Sequence, residues 1–229
     1  MPYTVYFCPA MITTVLFDMD GLLLDTEPQW GVSMRKVAAK HKIPIASGRF
    51  KDTTGLRVYE VTDHWAIHFP WEGKTPKEVA DEILEDVIAE SKKNATILKG
   101  VEQSLKLIRK HKFKIGLASS SPKHMIDALV DHFGLTHYFD CITSADAVEM
   151  GKPHPGVFLH CAASLGSKFN ECLVLEDSVN GMIAGKAARM KVIVVPDDLH
   201  FDDPRFSVAD IKLKSLEDFD LNLSVFKAS

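Results

Sequence analysis

Four short apolar, β-branched runs constrain the fold of this chain more than anything else in it: ITTVLFD (12–18), KIGLAS (114–119), CLVLED (172–177) and KVIVVP (191–196). Each is short and lacks polar alternation, so each suits a strand buried on both faces. Amphipathic or small-residue helical text stands between the later runs, in SPKHMIDALVDHF (121–133) and SVNGMIAGKAARM (178–190). Strand and helix taking turns in this way predict an α/β fold, a Rossmann-like parallel sheet with helices on both faces. Residues 26–95 interrupt that pattern directly after the first strand. There EPQWGVSMRKVAAKHK (27–42), LRVYEVTDHWAIHF (56–69) and TPKEVADEILEDVIAESKK (75–93) are all helical in period, with Pro or Gly between them. Thr75 is the expected N-cap of the last, with Pro76 at the first helical position and Glu78 in capping-box position. The expected domains are a discontinuous α/β core, 1–25 and 96–229, and an inserted all-helical cap, 26–95.

Composition narrows the function classes. The chain has 229 residues, of which 46% are apolar and 25% charged, outside the profile of a disordered chain. With 27 basic against 31 acidic residues it lacks the basic excess that phosphate-backbone binding needs, so nucleic acid is not an expected partner. No run reaches the length of a membrane span. Cys8, Cys141, Cys161 and Cys172 show no CxxC pair or zinc-like spacing and read as reduced thiols in a cytoplasmic protein. The opening segment carries no Lys or Arg before its apolar stretch and is broken by Pro9. Residues 1–10 therefore read as an extension outside the fold rather than a signal peptide, with Met11 standing directly before the first strand. A monomer is the default expectation.

The chemistry sits at the ends of the strands. Asp18 and Asp20 close the first run in LFDMDGLLLDTEP (16–28), where the chain turns at Gly21. Ser119, Ser120 and Ser121 close KIGLAS and open a helix, whose N-terminal N–H groups suit an anion. Lys152 lies in MGKPHPG, and Glu176 with Asp177 ends CLVLED. In a parallel α/β sheet the crevice beyond the carboxyl ends of the strands is the usual ligand site. Carboxylates, hydroxyls and an ammonium gathered there fit a divalent metal and a phosphoryl group in one cleft. A DxD at a strand end taken alone is often only a turn; its conjunction with the other three segments, in this order, carries the functional reading.

DMDG (18–21), LASS (117–120), the lysine of GKPHP (151–155) and LEDS (175–178) resemble, in order, the four motifs of the haloacid dehalogenase-like superfamily. The match covers nearly the whole chain. It is nearest to the β-phosphoglucomutase-like branch, whose helical cap is inserted between the first and second motifs. Within that branch the segments TGLRVYEVTDHW and LEDSVNGMIAGKAARMKVIVVP look like those of phosphatases acting on sugar and polyol phosphates such as 2-deoxyglucose 6-phosphate or hexitol phosphates. The resemblance implies Asp18 as a nucleophile that forms an aspartyl-phosphate and Asp20 as the general acid and base. It implies Mg2+ as cofactor, held by the Asp18 carboxylate, the Asp20 main-chain carbonyl and Asp177, with Glu176 supporting the metal from behind. Ser119, Ser120 and Lys152 are implied as phosphate ligands. Like charges 4 Å apart repel by roughly 4 kcal/mol at an effective dielectric near 20, so three ionised carboxylates there need Mg2+ and Lys152 as counter-charge. Two departures from the family pattern are visible. Leu22 stands where many relatives have Thr or Val, and Gly181 and Met182 stand where some carry a further acid, which leaves Glu176 as the remaining candidate for a second carboxylate beside the metal.

Other residues have both a sharp and a plain reading. Arg57 is a candidate to reach the far end of a substrate, or else a surface salt bridge. Trp30, Trp65 and Trp71 all have core filling as the plain reading; Trp30, nearest the first motif, is the first candidate among them for stacking on a sugar. His64 and His68 are spaced like two metal ligands on a helix, but HWAIH lacks the acid of HExxH and no third ligand is evident. The leading function is a Mg2+-dependent phosphatase for a small phosphorylated sugar or polyol. A mutase that returns the phosphoryl group to another hydroxyl is the alternative and needs extra cap cations, with Arg57, Arg35 and Arg49 as candidates. A phosphoacceptor switch resembling a receiver domain has no helical insertion after its first strand, and a sugar-phosphate-binding regulator lacks a use for the acid-base candidate Asp20.

Overall fold

The computed structural model describes residues 11–45 and 56–226. Strand β1 (Thr14–Phe17) is followed by α1 (Glu27–Lys40), α2 (Val58–His68), α3 (Pro76–Asn94) and α4 (Val101–Lys110). Then come β2 (Lys114–Ser119), α5 (Lys123–His132), β3 (Cys141–Ser144), α6 (Gly156–Ser164), β4 (Cys172–Glu176), α7 (Val179–Ala187), β5 (Lys191–Val194) and β6 (Ile211–Lys212). Among the described residues the six strands form one parallel sheet in the order β3-β2-β1-β4-β5-β6. The four apolar runs supply β1, β2, β4 and β5. The two strands the pattern did not announce are the sheet's edges: β3 begins with the half-buried Cys141 and Ile142, and β6 is two residues long. An edge strand has less apolar surface to bury, so its sequence carries less signal.

Both faces of the sheet are covered, as unbroken apolar strands require. Along β1, Val15 and Phe17 join a cluster with Leu105 and Ile108 of α4 and Ile126 and Leu129 of α5. Leu16, pointing the other way, joins Phe158 and Cys161 of α6 and Met182 of α7. All three β1 side chains are fully buried, and each such burial stabilises the fold by about 1.5–3 kcal/mol. Burial pushes the Cys161 and Cys172 thiols up to about 12, consistent with inert core cysteines; Cys8 lies outside the described residues.

Helices α1 and α2 both pack on α3, around a fully buried Trp65 with Ile83 and Leu84. The capping box at α3 forms as its residues dictate: Thr75 N donates to Glu78 Oε2 at 2.8 Å and Glu78 N to Thr75 Oγ1 at 3.3 Å. The apolar cluster of these helices runs on through Met19, Leu22, Leu23 and Leu24 into the α4–α5 side of the sheet. Past residue 215 the chain docks over α4, burying Leu216, Phe219 and Val225 while Ser104 Oγ donates to the Leu216 carbonyl at 3.1 Å. Among the described residues no helix is long and apolar enough to cross a membrane. The chain leaves β1 to build β2 and β3 on one side, then returns to build β4, β5 and β6 on the other. Strand β1 is thus the point where the strand order reverses, and a crevice opens there beyond the carboxyl ends.

Candidate active site

Three adjacent strands deliver their terminal residues to that crevice. Asp18 follows β1 directly, its N–H donating to the Leu175 carbonyl at 3.0 Å; Ser119 closes β2 and Glu176 closes β4. Gly21 takes φ +76°, and a Cβ there would lie 2.3 Å from Asp177 Oδ2, so the turn after the DxD tolerates no side chain. Lys152 reaches in from the loop before α6. Its Nζ lies 2.5 Å from Asp18 Oδ1 and 2.7 Å from Glu176 Oε1, with all three side chains nearly or wholly buried. The other oxygen of Glu176 accepts from Asp177 N at 2.9 Å, Ser178 N at 2.8 Å and Ser178 Oγ at 2.9 Å. Gly181 makes room for this carboxylate, since a Cβ at that position would fall 1.7 Å from Glu176 Oε1. Position 181, one of the two where some families carry another acid, is therefore closed to one here.

Burial and unequal pairing set the electrostatics. Burial pushes Asp18 up to about 8; Lys152 works against the shift, while Glu176 and Asp20 add to it. Burial also raises Asp177 well above its ordinary value, with Glu176 and Asp18 reinforcing it. For Glu176 burial is outweighed by Lys152 and by the Ser178 hydrogen bonds, so its carboxyl stays below its ordinary value. Burial alone would lower the Lys152 ammonium, yet Asp18 and Glu176 hold it above its ordinary value. Lys152 thus pairs with two of the three clustered carboxylates, Asp18 and Glu176, while burial works against the charged forms of Asp18 and Asp177. Ligand atoms of Asp18, Glu176 and Asp177 all lie within 4.8 Å of one another, a hard-oxygen set of the kind that takes Mg2+. Because Glu176 is occupied by Lys152 and the 177–178 donors, Asp18 and Asp177 are the carboxylates left to face a cation.

Asp20 is held from both sides of the cleft. Its Oδ1 accepts from Thr26 Oγ1 at 2.6 Å and Trp30 Nε1 at 3.2 Å, its Oδ2 from Ser121 Oγ at 2.7 Å and Ser119 Oγ at 3.5 Å. Sequence reasoning did not single out Thr26 or assign Ser121 a contact, and it gave Trp30 a sugar to stack on rather than a carboxylate to hold. The available signal was the spacing of Thr26 and Trp30, four apart at the start of α1, which places both over the preceding motif. Ser120 lines the cleft beside Ser119. The cleft encloses about 250 Å³ between the sheet edge and helices α1 and α2; Glu27, Met34 and Asn180 also line it. Desolvation there, followed by the charges of Asp20 and Asp197, moves Glu27 up to about 7.

The remaining candidates fall outside the cluster or at its rim. Arg57 lines the cleft, but its guanidinium is engaged by Glu60 and by main-chain carbonyls of residues 145–149. Arg35 is exposed on α1, with its guanidinium against the cleft-lining Gly31; Arg49 lies outside the described residues. The His64 and His68 rings stack 4.1 Å apart, and among the described residues no third ligand joins them. Trp71 lies at the edge of the helical core, its Nε1 donating to the Lys74 carbonyl at 2.9 Å.

Comparison with known proteins gives this geometry a context. Residues 15–195 match the model of a family described as haloacid dehalogenase-like hydrolase. The chain is 43% identical over 209 residues to hexitol phosphatase B of Escherichia coli (strain K12), covering 91% of this chain and 94% of that protein. It is 32% identical over 219 residues to a probable pseudouridine-5'-phosphatase of Drosophila melanogaster, covering 91% of each. Among solved structures, a β-phosphoglucomutase from Clostridium difficile superposes with a TM-score of 0.78 at 25% identity, over 92% of this chain and 94% of that one.

Proposed function

The chain belongs to the haloacid dehalogenase-like hydrolases and is a phosphatase of that family; within it, we propose a Mg2+-dependent enzyme that hydrolyses small sugar or polyol phosphates, such as 2-deoxyglucose 6-phosphate or hexitol phosphates. The observation that carries the reading is the meeting of Asp18, Lys152 and Asp177 at the strand-reversal crevice, with Lys152 Nζ 2.5 Å from Asp18 Oδ1. In it the Asp18 carboxylate attacks phosphorus in line, forming an aspartyl-phosphate as the bond to the sugar oxygen breaks. Asp20 gives that oxygen its proton, then takes one from the water that attacks the intermediate and frees inorganic phosphate. Ser119, Ser120 and Lys152 hold the equatorial phosphate oxygens. Asp18, Asp177 and the Asp20 carbonyl would hold Mg2+, with Glu176 supporting them; the ion supplies counter-charge to the phosphate dianion.

Residues 26–95 act in this reading as a cap that excludes bulk water from the aspartyl-phosphate until the sugar has left, over a core made of residues 1–25 and 96–229. The enzyme works as a cytoplasmic monomer. The likeness to a β-phosphoglucomutase keeps a mutase as the second reading, but a mutase must grip a second phosphate and Arg57 already spends its donors on protein acceptors. Inorganic phosphate as product supports the phosphatase, and an isomeric sugar phosphate without phosphate release supports the mutase. A panel of sugar and polyol phosphates assayed with Mg2+ is the direct test. Asp18→Asn is expected to lose about four orders of magnitude in turnover, and comparable phosphate release by that variant would refute the nucleophile.

A further inference from the structure

We propose that Arg57 is a latch between the helical insert and the core: a positioning residue that fixes α2 over the loop carrying Lys152. Arg57 is the N-cap residue of α2, and a guanidinium offers five N–H groups in a rigid planar fork. Here each has a protein acceptor. Nε and Nη2 donate to Glu60 Oε1 at 2.8 and 2.5 Å, which locks the side chain to its own helix. Nη1 donates to the carbonyls of Ala145 and Val148 at 3.4 and 3.3 Å, and Nη2 to that of Glu149 at 3.0 Å. These carbonyls belong to the turn after β3 that leads into Lys152.

A second contact grips the same loop. A Cβ at Gly151 would lie 3.1 Å from Arg57 Cγ and 3.3 Å from both Cδ and Nε, so the stem of the arginine lies on bare backbone beside Lys152. Head and stem together tie the start of α2 to the segment that places the ammonium on Asp18 and Glu176. Only a planar fork matches three converging carbonyls together with a carboxylate on the same helix, so lysine cannot replace it. The latch rests on the reading of residues 26–95 as a cap over a catalytic core. It also assigns Arg57 a task other than binding substrate.

The test is a double-mutant cycle in the full-length protein with Arg57→Ala, Gly151→Ala and their combination, plus Arg57→Lys, read by steady-state kinetics and by hydrogen exchange without ligand. Arg57→Ala is expected to lower kcat/KM for sugar monophosphates by about ten- to a hundred-fold, as misplacement near a reacting centre does. It is also expected to speed exchange of the ligand-free protein at residues 58–61 and 145–151. Gly151→Ala, which wedges the stem, should do the same, and the combination should be no worse than Arg57→Ala because both break one contact. Arg57→Lys should not restore either signal. Additive losses in the combined variant overturn the latch. So does an Arg57→Ala variant whose KM rises while ligand-free exchange stays at the wild-type rate, which marks a direct substrate ligand. If the wild-type protein releases no phosphate from any substrate, the phosphatase reading fails, and exchange in the ligand-free variants still decides the latch.

Discussion

On α3, Glu82 faces two ammonium groups, Lys40 and Lys74 at 2.8 Å, and the His41 ring at 2.8 Å, and its hydrogen bonds with Lys40 and Lys74 bring its carboxyl down to about 2. At the carboxyl edge of the sheet the balance is reversed: Asp18 and Glu176 share Lys152, Asp177 stands in the same carboxylate cluster, and burial lifts Asp18 to about 8. The first arrangement is complete in itself and ties α1 to α3. Among the described residues the second has fewer cationic partners than carboxylates. That deficit, more than the number of acids, is what the proposed phosphatase reading would have a cation offset, whereas the Glu82 cluster holds two helices together.

The largest effect that bears on this contrast is expected from Lys152→Ala. Removing the ammonium that pairs with Asp18 and Glu176 leaves those buried groups uncompensated, a loss of about 3–5 kcal/mol when a buried pair is broken. Phosphate release should fall by about three orders of magnitude or more, since an electrostatic anchor of the transferring group goes with it. Urea unfolding and a turnover assay measure both, and wild-type turnover in this variant would erase the difference between the two acid clusters.

A smaller effect lies in the pH dependence of stability without metal. The folded Asp18 titrates near 8 against 3.8 unfolded, and Asp177 is raised as well. The folded state therefore binds more protons than the unfolded one between those values. The stability Asp18 contributes is fully present below 3.8 and is lost as pH rises through about 8, and Asp177 acts in the same direction. Mg2+ restores it by pairing the ionised forms, so the rise in Tm on adding Mg2+ should grow from pH 5 to pH 8, and EDTA should abolish turnover. A Mg2+ shift that is flat with pH, or full turnover in excess EDTA, breaks the metal assignment.

Glu82→Gln gives the smallest change. A partly exposed pair of this kind is worth about 1 kcal/mol or less, and turnover should not move. The sign is opposite to that of the cleft. With its folded value lowered from 4.5 to about 2, Glu82 contributes stability present above 4.5 and lost as pH falls through about 2. Thermal melts of wild type and variant should converge on the acid side, and convergence at high pH instead would reverse the assignment.

Legibility in the sequence followed the range of the interaction. KIGLAS is strand β2 to the residue, and Thr75 with Glu78 caps α3 as their spacing predicts, because both patterns act over a few neighbouring residues. Strands β3 and β6 carried too little apolar surface to announce themselves; the strand and loop ends offered Asp18, Asp20, Ser119, Lys152 and Asp177 as candidates and the resemblance implied their roles, neither giving their contacts. Which carboxylate keeps Lys152, which hydroxyls hold Asp20 and where Arg57 spends its donors stayed out of reach. Local periodicity, turn residues and motif order determined by themselves that the chain is an α/β protein with a helical insertion and acids at its strand ends. The tertiary structure decided the rest, because Lys152 and Asp18 stand 134 residues apart in the chain and meet only where β1 reverses the strand order. Burial, pairing and the shape of the cleft are properties of that meeting, and no single segment of sequence contains them.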